Sequence, residues 1–169
     1  MTRFALTFTF LFLALFTIEL LDPVQAAVIQ PFTGWLADIS AALIMPFDAH
    51  VSAHGRIISD SQTGFAVSIE AGCNGVEAAI VLIAGVLAFP AAWRQKFLAI
   101  GGGFLAIQIM NIARIISLFY LGQWNLDLFT WMHLYLWPVL IMLDVLVVFL
   151  IYLRYLTRHP LAQGNGAQA

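Results

Sequence analysis

The sequence predicts an all-α polytopic membrane protein with about four transmembrane helices, an outer-face interfacial helix and a small β-hairpin. Three observations predict it. Hydrophobic residues make up 62% of the 169-residue chain and charged residues 9%, where a soluble domain carries about 25% charged residues. So few charges cannot cover a water-facing surface, so most of the chain must be solvated by lipid. Four segments approach the roughly 20 apolar residues a spanning helix needs. Five basic residues (Arg3, Arg94, Lys96, Arg154 and Arg158) fall on one side when those four segments span.

The expected spans are 4–21, 74–93, 97–120 and 131–153, within a single membrane domain over 1–160. The positive-inside rule makes the basic side cytoplasmic and puts both termini there. Only Arg56 and Arg114 are left toward the outer side. The first span is read as a retained anchor. Its apolar run exceeds the about 7–15 residues of a signal-peptide core, although Val24-Gln25-Ala26 resembles a cleavage site and keeps the signal-peptide alternative open.

Residues 22–73 form the outer-face segment. Within it, Val28 to Met45 is apolar but holds Pro31, Gly34, Asp38 and Ser40. If it spanned, Arg94 and Lys96 would move outside, so it reads as a helix lying on the interface; a re-entrant helix is the alternative. Val51 to Ser59 and Phe65 to Glu70 have strand-like patterns flanking the turn-forming run Asp60-Ser61-Gln62-Thr63-Gly64, which reads as a β-hairpin. The polar residues 161–169 read as a disordered tail. A formal net charge of -2 gives no reason to expect a nucleic-acid partner.

Helical rise places three chemically active residues at one depth. At about 1.5 Å per residue, Cys73 lies about 32 Å from Arg94, Arg114 about 27 Å from Lys96, and His133 about 32 Å from Arg154. The hydrocarbon core is about 30 Å thick, so all three reach the outer interface from different helices. A thiolate is a nucleophile. A histidine can take its proton and later return it to a leaving amine. A guanidinium can stabilise the thiolate or the oxyanion of a tetrahedral intermediate. Because Cys73 precedes a helix, with Asn74 and Gly75 offering backbone N–H groups, its pKa is expected to be lowered. The set points to acyl transfer through a thioester.

Each residue also has a plainer reading. Cys73, the single cysteine, could be a small buried hydrophobe. Arg114 could snorkel to the headgroups, and His133, between Trp131 and Tyr135, could be an interfacial anchor. An intramembrane arginine calls for a partner. Glu77 is the expected one, nearly level with Arg114 and one turn from Cys73; a purely structural pair is the alternative. Asn111, one turn from Arg114, either orients it or bonds another helix. Gln108 and Asp144 lie near mid-membrane and suggest helix packing, and Gly101-Gly102-Gly103 suggests close helix approach. His50 and His54 lack a third ligand, so no metal is expected, and no cofactor motif is present.

The ordered set Glu70-Ala71-Gly72-Cys73-Asn74-Gly75, then Asn111-Ile112-Ala113-Arg114-Ile115, then His133 resembles the exosortase/archaeosortase family. The short chain and the Gly-Cys-Asn-Gly-Val-Glu-Ala stretch are similar to its compact subtype, exosortase H. The resemblance implies a polytopic cysteine transpeptidase at the outer face of the cytoplasmic (inner) membrane. Its partners would be exported proteins with a C-terminal sorting signal: a short motif, a transmembrane helix and a basic tail. It further implies Cys73 as nucleophile, Arg114 as catalytic arginine and His133 as acid/base. The competing reading is a non-enzymatic membrane scaffold or assembly factor. A transporter is disfavoured by the lack of a broken-helix pair, and a thiol-redox role by the lack of a resolving cysteine.

Overall fold

The computed structural model describes residues 2–158; the expected tail over 161–169 lies outside them. Five helices and one small sheet make up the described residues. They are α1 (Thr2–Glu19), α2 (Asp22–Ile44), β1 (Val51–His54), β2 (Ile57–Asp60), β3 (Ala66–Ser68), α3 (Val76–Ala88), α4 (Trp93–Trp124) and α5 (Leu126–Arg158). The chain is an all-α polytopic membrane protein. α1, α2, α4 and α5 are each long and apolar enough to cross a membrane.

The number of such helices is the expected one, but their identity differs at one place. The segment expected to span over 74–93 supplies only α3, 13 residues or about 20 Å. Pro90 stops it, because the residue before a proline is pushed out of the α region; Phe89 and Ala92 are extended (ψ 136° and 144°). Lys96 Nζ donates to the Leu87 carbonyl at 2.8 Å and so caps the free end of α3. The helix expected from Val28 begins instead at Asp22, with Pro23 in its first turn, where a missing N–H costs nothing.

Both long helices that contain an internal proline widen just ahead of it. α2 winds as a π-helix over Gln25–Ile29 and meets Pro31; α5 does so over Met132–Leu136 and meets Pro138. A proline inside a helix removes one donor and collides with the preceding turn. A π turn relieves this by adding a residue to that turn.

The expected hairpin is a three-stranded antiparallel sheet in the order β1-β2-β3. The run Val51 to Ser59 is itself a tight hairpin, pairing His54 with Ile57 and Val51 with Asp60. Gly55, at φ 58°, provides the positive φ that a two-residue turn requires at its first position. The Asp60–Gly64 turn then leads to β3, with Asp60 accepting from the Gln62 N–H and the Thr63 hydroxyl, each at 2.7 Å.

Two apolar cores result. The upper one joins Leu36, Ala37, Ala41 and Ile44 of α2 to Val51, Ile58 and Ile69 around the sheet, and to Ile115 and Phe119 of α4. The lower one joins Ala78, Leu82 and Val86 of α3 to Ile107 of α4 and Ile141 and Val145 of α5. Of the three adjacent glycines, only Gly103 sits at a close approach, where a side chain would overlap Leu82 and Val148; Gly101 and Gly102 face open space. α1 packs on α3 and carries a ladder of stacked rings, Phe4, Phe8, Phe12 and Phe16.

Candidate active site

Cys73 lies in the loop between the sheet and α3, against the upper core. The loop turns at Gly72 (φ 82°) and again at Gly75 (φ 76°), values that strain any residue with a Cβ. Gly75 has no room for one either, since Ile107 and Gln108 of α4 lie at contact distance. Asn74 closes the loop. Its Oδ1 accepts from the Val76 N–H at 3.1 Å, starting α3, and its Nδ2 donates to the Thr33 hydroxyl of α2 at 3.2 Å. Thr33 in turn donates to the Ile29 carbonyl, in the π turn, at 2.8 Å.

Arg114 reaches this loop from α4 and is 5% exposed. Its Nη2 donates to Cys73 Sγ at 3.3 Å and its Nη1 to the Gly72 carbonyl at 3.1 Å. The Gly72 N–H donates to Glu77 Oε1 at 2.7 Å. The two peptide units that flank the Gly72 Cα are thus held, one at its carbonyl by a cation and the other at its N–H by a carboxylate. This corrects the expected Glu77–Arg114 pair: among the described residues the one ion pair is Arg56–Glu70, exposed, at 2.7 Å. A backbone donor turned inward by Gly72 lies nearer to Glu77 than the guanidinium does.

His133 completes the set, with Nε2 3.9 Å from Sγ. Its imidazole stacks on Phe129, with centroids 5.7 Å apart and planes within 2°. It stands in the π turn ahead of Pro138. Its Nδ1 has no hydrogen-bond partner among the described residues, so stacking rather than a bond at Nδ1 holds the ring. The three residues that depth counting put on one level therefore meet around a single sulfur.

Burial pushes the Cys73 thiol pKa up, against the pull of Arg114, and the carboxylates of Glu77 and Glu70 add to the rise. The lowered value expected from the helix N-terminus is not found; Cys73 precedes the first turn of α3, and desolvation outweighs the attraction. Asn111 is also corrected. It is fully buried, yet neither atom of its amide has a partner among the described residues, so neither expected bond, to Arg114 or to another helix, is made. Gln108 is in the same state. His50 and His54 are exposed at the rim of the sheet.

Two contributors were not singled out from the sequence. Phe129 was findable, being one helical turn before His133. Thr33 left no local signal, since its role exists only once α2 packs on the Cys73 loop.

A cavity of about 210 Å³ opens over the sulfur, lined by Val67, Ser68 and Ile69 on one side, Arg114 and Leu118 beneath, and Phe129 and His133 opposite. A thiol, a guanidinium within hydrogen-bonding reach and an imidazole in contact can together attack, and then resolve, an acyl carbon presented in that cavity. Residues 1–152 match the family model described as transmembrane exosortase (Exosortase_EpsH). No curated protein and no solved structure gives a match.

Proposed function

The chain belongs to the transmembrane exosortase family, and from that membership and the geometry at Cys73 we propose a membrane cysteine transpeptidase that cuts C-terminal sorting signals from exported proteins. The observation that carries the reading is the meeting at Sγ of Arg114, at 3.3 Å, and His133, at 3.9 Å. Cys73, its proton taken by His133, attacks the scissile carbonyl. The negative charge moves from sulfur to the carbonyl oxygen, and Arg114, already beside the sulfur, stabilises both forms. As the tetrahedral intermediate collapses, the C–N bond breaks and the imidazolium returns its proton to the leaving amine. The product is a thioester on Cys73. His133 then deprotonates a second nucleophile, water or an amine, which releases the acyl group and regenerates the thiol.

The raised thiol pKa fits this order of events. The resting site holds a neutral thiol, and the charge is generated when a carbonyl is there to receive it. Glu77 and Asn74 act as positioning residues, by fixing the Gly72 peptide and the start of α3.

The site faces outside in this reading. Arg94, Lys96, Arg154 and Arg158 stand at the ends of α4 and α5 remote from Cys73, which makes that end cytoplasmic. α2 supports this placement. Its Leu36, Ala37, Ala41 and Ile44 pack on the sheet rather than on the lower core, as a helix lying at the outer interface would. The membrane is the cytoplasmic one, and the exported substrate's transmembrane helix would dock beside α3, α4 and α5. The test is processing in cells. An exported reporter bearing a C-terminal transmembrane helix and basic tail from the same proteome is expected to be shortened with the native chain and to stay full-length with Cys73→Ala. Processing that persists with Cys73→Ala would leave the scaffold reading in its place.

A further inference from the structure

The strand that borders the Cys73 cavity has one side of its backbone unpaired among the described residues. β3 pairs with β2 so that Ala66, Val67 and Ser68 face Ser59, Ile58 and Ile57. The flanking bonds fix which residues of the ladder exchange hydrogen bonds: the Asp60 N–H donates to the Phe65 carbonyl and the Ile69 N–H to the Arg56 carbonyl, each at 2.9 Å. Antiparallel pairs alternate between bonded and non-bonded, so Val67 and Ile69 point their N–H and C=O groups at β2, as Phe65 does its carbonyl. Ala66 and Ser68 point theirs the other way. Sheet order ends at β3, and both residues are exposed.

The two edges of the sheet are not equivalent. β1 lies against α2, with the Gly55 carbonyl at contact distance from Gly34. β3 borders the cavity: Val67, Ser68, Ile69 and Glu70 form one wall, and Cys73 lies in the same cavity. At about 210 Å³ the cavity is below the about 300–1,000 Å³ of sites that enclose a whole small molecule. It suits a short piece of a longer chain. An exposed edge offers main-chain bonds to such a piece at a spacing of about 4.7–4.9 Å.

We propose that the acyl-donor peptide binds as an added strand on the open edge of β3, with its backbone bonded to the N–H and C=O groups of Ala66 and Ser68 and its scissile carbonyl carried to Cys73. This rests on the transpeptidase reading and adds to it how the substrate is held. Main-chain bonds give affinity with little dependence on sequence, and side chains of alternate peptide residues meet the apolar wall of Leu118 and Phe129. Recognition of a particular motif is then confined to the few residues nearest the sulfur.

The test compares alkylation of Cys73 in the detergent-solubilised full chain by three reagents: iodoacetamide, N-acetyl-trialanyl chloromethyl ketone, and the same ketone with its inner amide nitrogens methylated. Each forms a thioether on Cys73 with loss of halide. The expected result is that the unmethylated peptide reacts at least tenfold faster than its methylated form. Ala66→Pro and Ser68→Pro each should remove that preference while iodoacetamide reacts as before. Proline is tolerated at these positions because the lost N–H faces away from β2. Equal rates for the two peptides on the native chain overturn the edge proposal and leave Cys73 as nucleophile. So does a preference that survives both proline variants. A Cys73 that reacts with none of the three reagents overturns the transpeptidase reading and this proposal with it.

Discussion

Buried polar groups are bonded to one another more extensively in the upper half of the molecule than in the lower. Around Cys73, Thr33 bonds to Asn74, Glu77 to the Gly72 N–H, and Arg114 to the Gly72 carbonyl and the sulfur, while Ser40 Oγ, Arg114 Nε and His133 Nδ1 have no partner among the described residues. In the helix bundle below, Gln108, Asn111, Asp144 and Tyr152 all carry buried atoms with no partner among the described residues. The apolar cores differ as well. The upper core joins a sheet, a loop and two helices; the lower is helix against helix, closed at Gly103 by Leu82 and Val148. Apolar association outside lipid is driven by removal from water, whereas helices inside a bilayer leave a solvent as apolar as themselves and are held by packing. The upper half is a specified site, and the bundle is its support.

The largest effect that would sharpen this contrast is at Arg114. Arg114→Leu removes the two bonds that reach Cys73 and Gly72, and processing is expected to fall by about 10²–10³-fold. The thiol is already raised by burial, so thiolate accumulates only as pH rises. Without the guanidinium the labelling curve of Cys73 with an impermeant maleimide should move to still higher pH. An unchanged curve would mean that Arg114 and the sulfur do not interact.

Pro138→Ala comes next. It lets α5 rewind as an α-helix through Met132–Leu136, and loss of one residue from the turn swings His133 about 100° around the axis. Misplacement of a catalytic group costs about 10²-fold. The expected result is a chain with unchanged thermal unfolding in detergent and reporter processing reduced by that order. Native processing in Pro138→Ala would show that the π turn does not set the imidazole.

A pair of truncations compares the cores directly. Ile58→Ala in the upper core is expected to destabilise by about 2–5 kcal/mol, the transfer and cavity terms together. Leu82→Ala in the bundle should cost less, since the transfer part of about 1.5–3 kcal/mol has no counterpart in lipid. Unfolding of the two variants in lipid nanodiscs measures this, and equal losses would erase the distinction.

The smallest effects concern single polar groups. Thr33→Val leaves the Asn74 amide buried with one bond fewer, a loss of about 1–3 kcal/mol. Asn111→Leu removes an unpartnered amide and is expected to be neutral or stabilising. A stability loss in Asn111→Leu as large as in Thr33→Val would contradict the contrast from the bundle side.

Much of the site was legible in the chain because membrane thickness acts as a ruler. Arg114 and His133 sit on long helices, α4 and α5, where the count of residues from the basic residues at the far helix ends translates into a distance. Cys73 does not sit on such a helix: α3 has only 13 residues, and the thiol meets Arg114 and His133 from the loop ahead of it. Both π turns are also written in the sequence, as a proline inside an otherwise continuous apolar helix. What could not be read is pairing across the fold. Depth alone could not separate a guanidinium from a backbone N–H as the partner of Glu77, because that choice depends on the rotation given to Gly72 by its positive φ. The sheet was underestimated because Gly55 turns the chain within a run whose alternation looks unbroken.

The central claim is that Cys73 carries an acyl group during turnover, and intact-mass analysis of the chain purified from cells exporting a substrate tests it most directly. A hydroxylamine-labile acyl adduct is expected on the Cys73 peptide, absent from Cys73→Ala, whose reporter remains full-length. A reporter shortened at the native rate with no adduct ever present on Cys73 would contradict it.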